Sequence, residues 1–422
     1  MSGATNAGPP DLADYRRQVR NWLEENLERR QEDQRSHDAD YYTPEVLAEN
    51  RALQRRLFEA GYAGITWPIE FGGQGLPSEY EWAFLEEAAD FVTPDFGLLS
   101  NTTFHTCVPT MIAHAPSEFL RWFVPIVLAG DALVCQFFSE PSAGSDLAAA
   151  RTRARPDGDQ WIIDGQKTWS SYAHRADWGM VLARTDWDVP KHRGLTWFAV
   201  PCDAAGLTIR PIRQVNGTTE FCEEFFDSVV VPDDWRISPL NEGWAEAQTM
   251  LVYERGAGGA SSGVPLAGPG PIAPDLVSLA KDGIGLADPN VRQKLARVHM
   301  LDFVGRSLAY RVSQLDRLGQ LNPGIAAYVK LYRGTFDPIR ARLGLEVGGP
   351  MAVSWSTDER REPAAALAYL NGRQLSIAGG TNEMQRNAIA ERALGMPREP
   401  SIDASVPFTD ALRNAGRWPH TI

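Results

Sequence analysis

The chain has 422 residues, of which 43% are hydrophobic and 23% are charged, and its formal net charge is −13. This length can bury the cores of two or three folding units, and the composition is that of a globular protein. The negative charge argues against binding to nucleic acid or to an anionic membrane surface, because both need a basic patch. No apolar run has the length of a membrane helix, and the N-terminus lacks the pattern of a targeting signal, so a cytoplasmic location is predicted.

The histidines and cysteines do not form a ligand pattern. The seven histidines are scattered, and none pairs with a cysteine or a carboxylate at the spacing of metal ligands, so no metal site is predicted. The four cysteines are far apart in apolar surroundings. Buried, reduced thiols are therefore expected rather than a disulfide framework.

Residues 11–130 carry helical patterns. Asp11 can cap a first helix, and Thr43-Pro44-Glu45 has the order of an N-cap, an N1 proline and a first-turn acid. Helical spacing of apolar residues resumes from Ser78 to Phe91 and again within residues 100–128. These patterns predict an N-terminal α-helical domain over residues 11–130.

The pattern changes at Gly130-Asp131, after which short β-rich runs alternate with turns as far as Pro239. Asp164-Gly165 stands between two such runs and predicts a hairpin. The spacing predicts a small antiparallel sandwich or barrel as a central β domain over residues 131–241.

Helical patterns return over residues 242–400. A helix is predicted from about Glu242 to Arg255, then a flexible loop over residues 256–274 that is rich in Gly, Pro and Ser. Longer helices begin at Asp288-Pro289 and Asn322-Pro323. The prediction is a C-terminal helical bundle over residues 242–400 with a tail over residues 401–422, and the fold class is α+β.

One loop has the features of a ligand site. The strand that ends at Phe138 leads into Ser139-Glu140-Pro141-Ser142-Ala143-Gly144-Ser145-Asp146. Pro141 ends the strand because it has no N–H to donate, and the small residues after it let backbone N–H and hydroxyl groups approach a ligand closely. The alternative is an ordinary turn at a strand end.

Three further stretches accompany this loop. They are Trp67-Pro68-Ile69-Glu70-Phe71-Gly72-Gly73-Gln74-Gly75, Asp164-Gly165-Gln166-Lys167-Thr168-Trp169-Ser170-Ser171 and Ala378-Gly379-Gly380-Thr381-Asn382-Glu383-Met384-Gln385-Arg386-Asn387. In this order and spacing the four stretches resemble the acyl-CoA dehydrogenase family, and the resemblance covers nearly the whole chain. It implies that family's fold, with a helical domain, a β domain and a helical bundle in succession.

The resemblance also implies one FAD per subunit. Matched motif by motif, the flavin-facing residues are Gln136, Phe138, Ser139, Gly144, Ser145, Trp169 and Ser171. The contacts to the pyrophosphate and adenine fall on Gln293, Gly348, Gly349, Thr381 and Glu383. The sequence departs from the family pattern at two places near these pyrophosphate and adenine contacts. An Arg-x-x-Phe motif before the Gln293 helix is absent, and Leu345 stands where many relatives have a glutamine.

The implied chemistry needs a base for the α-proton of a thioester, and therefore a carboxylate with a raised pKa in a dry site. Many family members carry this glutamate in the C-terminal loop, at the position of Gly379 here. A second branch carries a Glu-Arg pair on the helix after the β domain, matched by Glu254-Arg255. Glu254 follows Trp244, Ala247 and Leu251 on one helical stripe, so we predict it as the catalytic base. The alternative is a surface ion pair at a helix end.

The predicted substrate contacts are Ser145, Tyr253, Arg255 and Gly379. Arg255 does not share the face of Glu254, because adjacent helical residues point in different directions, and it is assigned to active-site structure. Gly379 keeps a backbone N–H that can polarise the thioester carbonyl.

The predicted activity is α,β-dehydrogenation of an acyl-CoA to a 2-enoyl-CoA, with an electron-transfer flavoprotein as electron acceptor. The family implies a homo-oligomer, a dimer or homotetramer, with a hetero-oligomer as the alternative. Competing functions are a flavin oxidase or monooxygenase on the same fold, and a non-catalytic subunit that completes another chain's flavin site. The loop over residues 256–274 could admit a bulky acyl group, branched or ring-bearing.

Overall fold

The computed structural model describes residues 8–30, 42–254, 272–318, 320, 322–354, 364–398, 400–401 and 403–414. These residues form two compact units. The first comprises the described residues up to Arg213, Thr218–Met250 and the segment from Asp403 onward. The second comprises Gln214–Gly217 and the described residues from Leu251 to Ser401.

The first unit begins with helices whose starts follow from their capping residues. The Asp11 side chain accepts hydrogen bonds from the backbone N–H groups of Ala13 and Asp14, and the Thr43 hydroxyl accepts one from Val46. Both predicted caps are therefore confirmed. The helices are α1 (Leu12–Asn26), α2 (Pro44–Glu59), α3 (Ser78–Ala88), α4 (Leu98–Ser100), a π-helical stretch (Asn101–Cys107), α5 (Val108–His114) and α6 (Ser117–Leu128).

A seven-stranded sheet follows α6. Its strands are β1 (Val134–Phe137), β2 (Arg153–Asp157), β3 (Gln160–Ser171), β4 (Trp178–Arg184), β5 (Leu195–Pro201), β6 (Leu207–Ile212) and β7 (Phe221–Pro232). The order is β1-β4-β2-β3-β7-β6, and β5 pairs with β4. Because β1 runs parallel to β4, the sheet is mixed, whereas the sequence predicted an antiparallel one. Its buried face is filled by aromatic and β-branched side chains, including Phe137, Phe198 and Val229.

The predicted hairpin at Asp164-Gly165 is wrong. These residues lie inside β3, which runs unbroken from Gln160 to Ser171 with an irregular register against β7 at this point. The Asp164 carboxylate accepts a hydrogen bond of 2.7 Å from the Ser228 N–H, and a β-carbon at Gly165 would lie 2.6 Å from the Thr152 hydroxyl. Gly165 therefore serves a close approach between strands. The turn lies instead between β2 and β3, where Gly158 has a positive φ of 66°.

The second unit is helical. It contains the two long helices α9 (Pro289–Arg317) and α10 (Pro323–Gly348), with the shorter α8 (Pro274–Asp282), α11 (Ala364–Asn371) and α12 (Asn382–Ala388). Its core includes Leu276, Leu295 and Phe336. Helix α7 (Trp244–Val252) precedes them in the chain. No helix in the described part of the chain combines the length and apolar character needed to cross a membrane.

The last described segment returns to the first unit and carries α13 (Phe408–Asn414). The Phe408 ring lies 3.9 Å from the guanidinium carbon of the buried Arg184. The Lys191 ammonium donates to Asp403 at 2.7 Å and to Asp146 at 2.9 Å. This lysine therefore ties the C-terminal segment to the small-residue loop that ends at Asp146.

Candidate functional site

In the first unit, β1 and β3 together hold the predicted flavin loop. The Thr168 N–H donates to the Ser139 carbonyl at 2.9 Å, and the buried Lys167 ammonium donates to the Phe138 carbonyl at 3.0 Å. Lys167 also pairs with Glu140 at 2.9 Å, with both side chains almost fully shielded from water. Buried charges persist in proteins when they are paired, so this ion pair anchors the loop to the sheet.

The Glu140 carboxylate completes this anchor. It accepts backbone hydrogen bonds from Arg151 at 2.6 Å and Thr152 at 2.8 Å. Burial alone would raise the pKa of Glu140, but the charge of Lys167 and these hydrogen bonds outweigh it and lower the pKa. The lowered pKa keeps Glu140 ionised beside the Lys167 ammonium.

Trp169 stands out because a large aromatic side chain is exposed on a strained backbone. Its φ is +68°, and its side chain is 59% exposed. The register of β3 against β7 shifts between Thr168 and Ser170, which marks a bulge at this residue. A non-glycine residue in the left-handed region costs about 1–3 kcal/mol, and such residues are enriched at functional sites. The chain thus holds an indole ring at the surface of the β domain at an energetic cost.

A buried carboxylate forms a hydrogen bond to the residue next to the bulge. The Ser170 hydroxyl, next to Trp169, donates a hydrogen bond of 2.9 Å to Glu224. Glu224 is fully buried, and burial raises its pKa to about 7. The sequence did not point to Glu224, because its neighbours Glu223 and Phe225 give no pattern that separates a buried glutamate from an exposed one.

Two features of this region fit the isoalloxazine ring that the family resemblance implies. The Gln136 side-chain oxygen is buried and has no hydrogen-bond partner among the described residues, so it can accept a bond from a ring N–H. A β-carbon at Gly144 would meet nothing within 4 Å, which leaves that side of the loop open to a ligand. Gln136, Phe138, Ser139, Gly144, Ser145, Trp169 and Ser171 all lie in the first unit, on β1, β3 and the loop between β1 and β2.

The remaining predicted cofactor residues lie in the second unit. Gln293 is exposed near the start of α9, and Gly348 and Gly349 end α10, Gly349 with a positive φ of 57°. Thr381 caps α12 through its hydroxyl, and the exposed Glu383 pairs with Arg386 at 3.1 Å. Their predicted pyrophosphate and adenine contacts stay predictions.

Glu254, the predicted base, lies beside the glycine loop in the second unit. A β-carbon at Gly379 would lie 3.4 Å from the Glu254 Oε1 atom and 3.4 Å from the Lys330 Cε atom. Glu254 is half-buried, and it follows α7 in a wider π-helical turn with Tyr253. Because that turn changes the angle per residue, the regular spacing from Trp244 does not extend to Glu254. Arg255 lies outside the described residues.

Lys330 was not singled out from the sequence. It is 8% exposed on α10, and its ammonium donates to the Leu375 carbonyl just before the loop. A single lysine between Val329 and Leu331 gives no sequence signal that distinguishes it from an exposed one. The structure therefore adds a buried cation to the surroundings of Glu254 and Gly379.

A buried glutamate on α7, Glu246, belongs to the first unit. It is 3% exposed, and its Oε2 atom has no hydrogen-bond partner among the described residues. Burial, reinforced by the charge of Glu242, raises the pKa of Glu246 to about 8. Because the pKa is higher in the folded than in the unfolded chain, its contribution to stability is complete below pH 4.5 and is lost as the pH rises through about 8.

Replacing Glu246 by Gln should therefore stabilise the protein at alkaline pH. At about pH 9 the variant should gain on the order of 3 kcal/mol over the wild type, while at about pH 4.5 the difference should nearly vanish. Denaturant unfolding at the two pH values measures this. Glu49→Gln, at an exposed position on α2 of the same unit, is the control and should change stability little at either pH. Equal effects of Glu246→Gln at both pH values would contradict the prediction.

Comparison with known proteins supports the same family from the whole chain. Family models described as the N-terminal, middle and C-terminal domains of acyl-CoA dehydrogenase match residues 9–131, 135–229 and 241–394. Acyl-CoA dehydrogenase IpdE1 of Mycobacterium tuberculosis is 36% identical over 389 residues, which cover 92% of this chain and 99% of the relative. Acyl-CoA dehydrogenase FadE34 of the same organism is 37% identical over 368 residues, which cover 84% of this chain and 48% of the relative.

Solved structures agree. The structure named Tcur3481-Tcur3483 steroid ACAD is similar to this chain with a TM-score of 0.71 and 27% identity, and the match covers 94% of this chain and 100% of that one. The ChsE4-ChsE5 complex from Mycobacterium tuberculosis is similar with a TM-score of 0.68 and 27% identity, covering 94% and 100%. The chain belongs to the acyl-CoA dehydrogenase family, whose members are FAD-dependent oxidoreductases.

Proposed function

We propose that this protein introduces a double bond between the α- and β-carbons of an acyl-CoA, with Glu254 as the base for the α-proton. The observation that carries this proposal is the position of the Glu254 carboxylate beside Gly379. In many relatives the base projects from the loop position that this chain fills with glycine. In this chain the Glu254 carboxylate, in the turn after α7, lies beside that loop position, which supports the assignment of Glu254 as the base.

The local surroundings support this role. Gly379 adds no side chain that would fill the space in front of the carboxylate, and its φ of +64° suits glycine. The Glu254 carboxylate would take the α-proton, and the electrons of that C–H bond would move towards the thioester carbonyl. A backbone N–H of the loop would stabilise the charge on the carbonyl oxygen. Departure of hydride from the β-carbon then completes the double bond.

FAD, when bound, supplies the acceptor for the β-hydride. The residues proposed to hold its ring are Gln136, Phe138, Ser139, Gly144, Ser145, Trp169 and Ser171. Gln293, Gly348, Gly349, Thr381 and Glu383 are proposed for the rest of the cofactor. On the substrate side we propose Ser145, Tyr253, Arg255 and Gly379.

We further propose a ring-bearing acyl group as the substrate class. The name of a similar solved structure, a steroid ACAD, supports this choice. The loop predicted over residues 256–274, which could admit a bulky acyl group, would serve the same substrates. It lies almost entirely outside the described residues. The electron acceptor we propose is an electron-transfer flavoprotein.

The assembly we propose is an oligomer, and two similar solved structures favour one with two kinds of chain. The names of those structures, Tcur3481-Tcur3483 and the ChsE4-ChsE5 complex, each join two proteins' names. A homotetramer or homodimer is the alternative. Mass measurement of the purified chain, alone and with its co-purifying partners, distinguishes these assemblies.

The test is an anaerobic titration of the purified protein with acyl-CoAs that carry straight, branched and steroid-ring acyl groups. Loss of the oxidised flavin absorbance with the ring-bearing acyl-CoA, and formation of one equivalent of enoyl-CoA, is the expected result. Reduction of the flavin by straight-chain acyl-CoAs alone would contradict the proposed substrate class. A protein that purifies without flavin and is not reduced after FAD is added would favour the non-catalytic subunit.

A further inference from the structure

Gln385 is a buried amide that makes two hydrogen bonds, both to one loop. Its side chain is 0% exposed, and its Nε2 atom donates to the Gly379 and Gly380 carbonyls at 3.0 Å each. Both neighbours are carbonyl oxygens, which fixes the orientation of the amide, because the opposite one would set oxygen against oxygen. The Oε1 atom has no partner among the described residues. Both side-chain hydrogen bonds that Gln385 makes to described residues therefore go to the two glycines.

These glycines need such a constraint. Gly379 and Gly380 have φ values of +64° and +87°, and two adjacent glycines have more backbone freedom than any other pair. Without a fixed partner the peptide group between them could rotate. Gln385 holds the carbonyls on both sides of Gly380 and so fixes two successive peptide planes.

Fixing the carbonyls also fixes the N–H groups. In a planar trans peptide the C=O and N–H bonds point in opposite directions. The N–H groups of Gly380 and Thr381 are therefore directed away from Gln385. Neither N–H donates a hydrogen bond to another described residue. These two N–H groups can therefore donate to a ligand. They belong to the same loop as Gly379, which lies beside the Glu254 carboxylate.

We propose that Gln385 is a positioning residue for the dehydrogenation: it fixes the two peptide planes that follow Gly379, and with them the course of the loop whose backbone N–H would stabilise the thioester carbonyl oxygen. This inference rests on the proposed function of the loop. Gln385 itself does not touch the substrate. Its contribution lies in the transition state, because the charge on the carbonyl oxygen grows as the α-proton leaves.

The variants that test this are Gln385→Met, which is of similar size and has no donor, and Gln385→Glu. Gln320→Met, at an exposed position in the same unit, is the control. We expect kcat of Gln385→Met to fall about 100-fold while KM changes less than about threefold, because a misoriented donor is lost mainly in the transition state. The ratio of kcat of Gln385→Glu to kcat of the wild type at the same pH should rise towards acidic pH, where a protonated carboxyl can again donate one hydrogen bond. Gln320→Met should match the wild type.

A second measurement separates this role from a general loss of structure. An acyl-CoA analogue with sulfur in place of the β-carbon can lose its α-proton but has no β-hydride to give. Its bound enolate next to the oxidised flavin should give a long-wavelength absorbance band. The pH midpoint of that band should rise by about one unit in Gln385→Met, since the enolate loses about tenfold in stabilisation.

Several outcomes would overturn the inference. These are a kcat of Gln385→Met within about threefold of the wild type, a loss confined to KM or to bound FAD, and an unchanged pH midpoint of the enolate band. If Gln385→Met does not fold, the pH dependence of Gln385→Glu decides. A wild-type protein that no acyl-CoA reduces would instead refute the proposed function, and this inference with it.

Discussion

Replacement of Glu254 by Gln should slow the reduction of the flavin by acyl-CoA by about 100-fold to 10⁴-fold, the range usually contributed by a general base. The amide has nearly the shape of the carboxylate but cannot accept the α-proton. Anaerobic stopped-flow mixing with the best acyl-CoA, followed by flavin absorbance, measures the rate. Binding of the acyl-CoA and the amount of bound FAD should stay close to those of the wild type.

The matched control is Glu391→Gln, a half-buried glutamate of the same helical unit with no place in the proposed site. It should be reduced at the wild-type rate. If Glu254→Gln were reduced as fast as the wild type, the base would lie elsewhere. The position of the carboxylate beside Gly379 would then be a matter of packing alone.

The second large effect should follow from loss of the buried Lys167–Glu140 ion pair, which anchors the predicted flavin loop. Lys167→Met should destabilise the protein by about 3–5 kcal/mol, because it leaves the Glu140 carboxylate buried without its cation. The Glu140 side chain is only 4% exposed, so water cannot replace the lost partner. Denaturant unfolding followed by fluorescence measures the free energy, and bound flavin measures the state of the loop.

Two comparisons test the cause. The double variant Glu140→Gln with Lys167→Met removes both charges and should regain part of the lost stability. Arg17→Met removes the cation of an exposed pair with Asp14 and should cost less than about 1 kcal/mol. A double variant no more stable than Lys167→Met would show that lost packing, rather than an unpaired charge, causes the effect.

Local signals predicted the helices well. The caps at Asp11 and Thr43 depend on hydrogen bonds within the first turn, so the residues that decide them are adjacent in sequence. The long helices begin at Pro289 and Pro323, where the sequence predicted them, for the same kind of reason.

The hairpin prediction failed because its outcome depended on residues far along the chain. Asp164-Gly165 has the composition of a tight turn, yet Asp164 bonds to Ser228 and Gly165 packs on Thr152. Ser228 belongs to the neighbouring strand β7 and Thr152 directly precedes β2, and β3 continues through the Asp164-Gly165 pair. A two-residue motif cannot reveal whether such partners exist.

The candidate site also contains residues that the sequence could predict and residues whose roles depend on tertiary contacts. The motif residues around Ser139, Trp169 and Gly379 could be named in advance, and so could Glu254 as a base, although that role is still a proposal. Glu140, Lys167 and Gln385 lie inside the same motifs but received no role. Their importance follows from burial and from the carbonyls and charges they meet, which the sequence does not show.

The sequence by itself determined the family, the order of helical and β regions, and the helix caps, since these are written in residue spacing and first-turn chemistry. Only the tertiary structure decided the course of β3, the exposure of Trp169 and the closeness of Glu254 to Gly379. The physical reason is that each of these depends on which distant groups exclude water or offer a hydrogen bond. Such partners are brought together only by the folded chain.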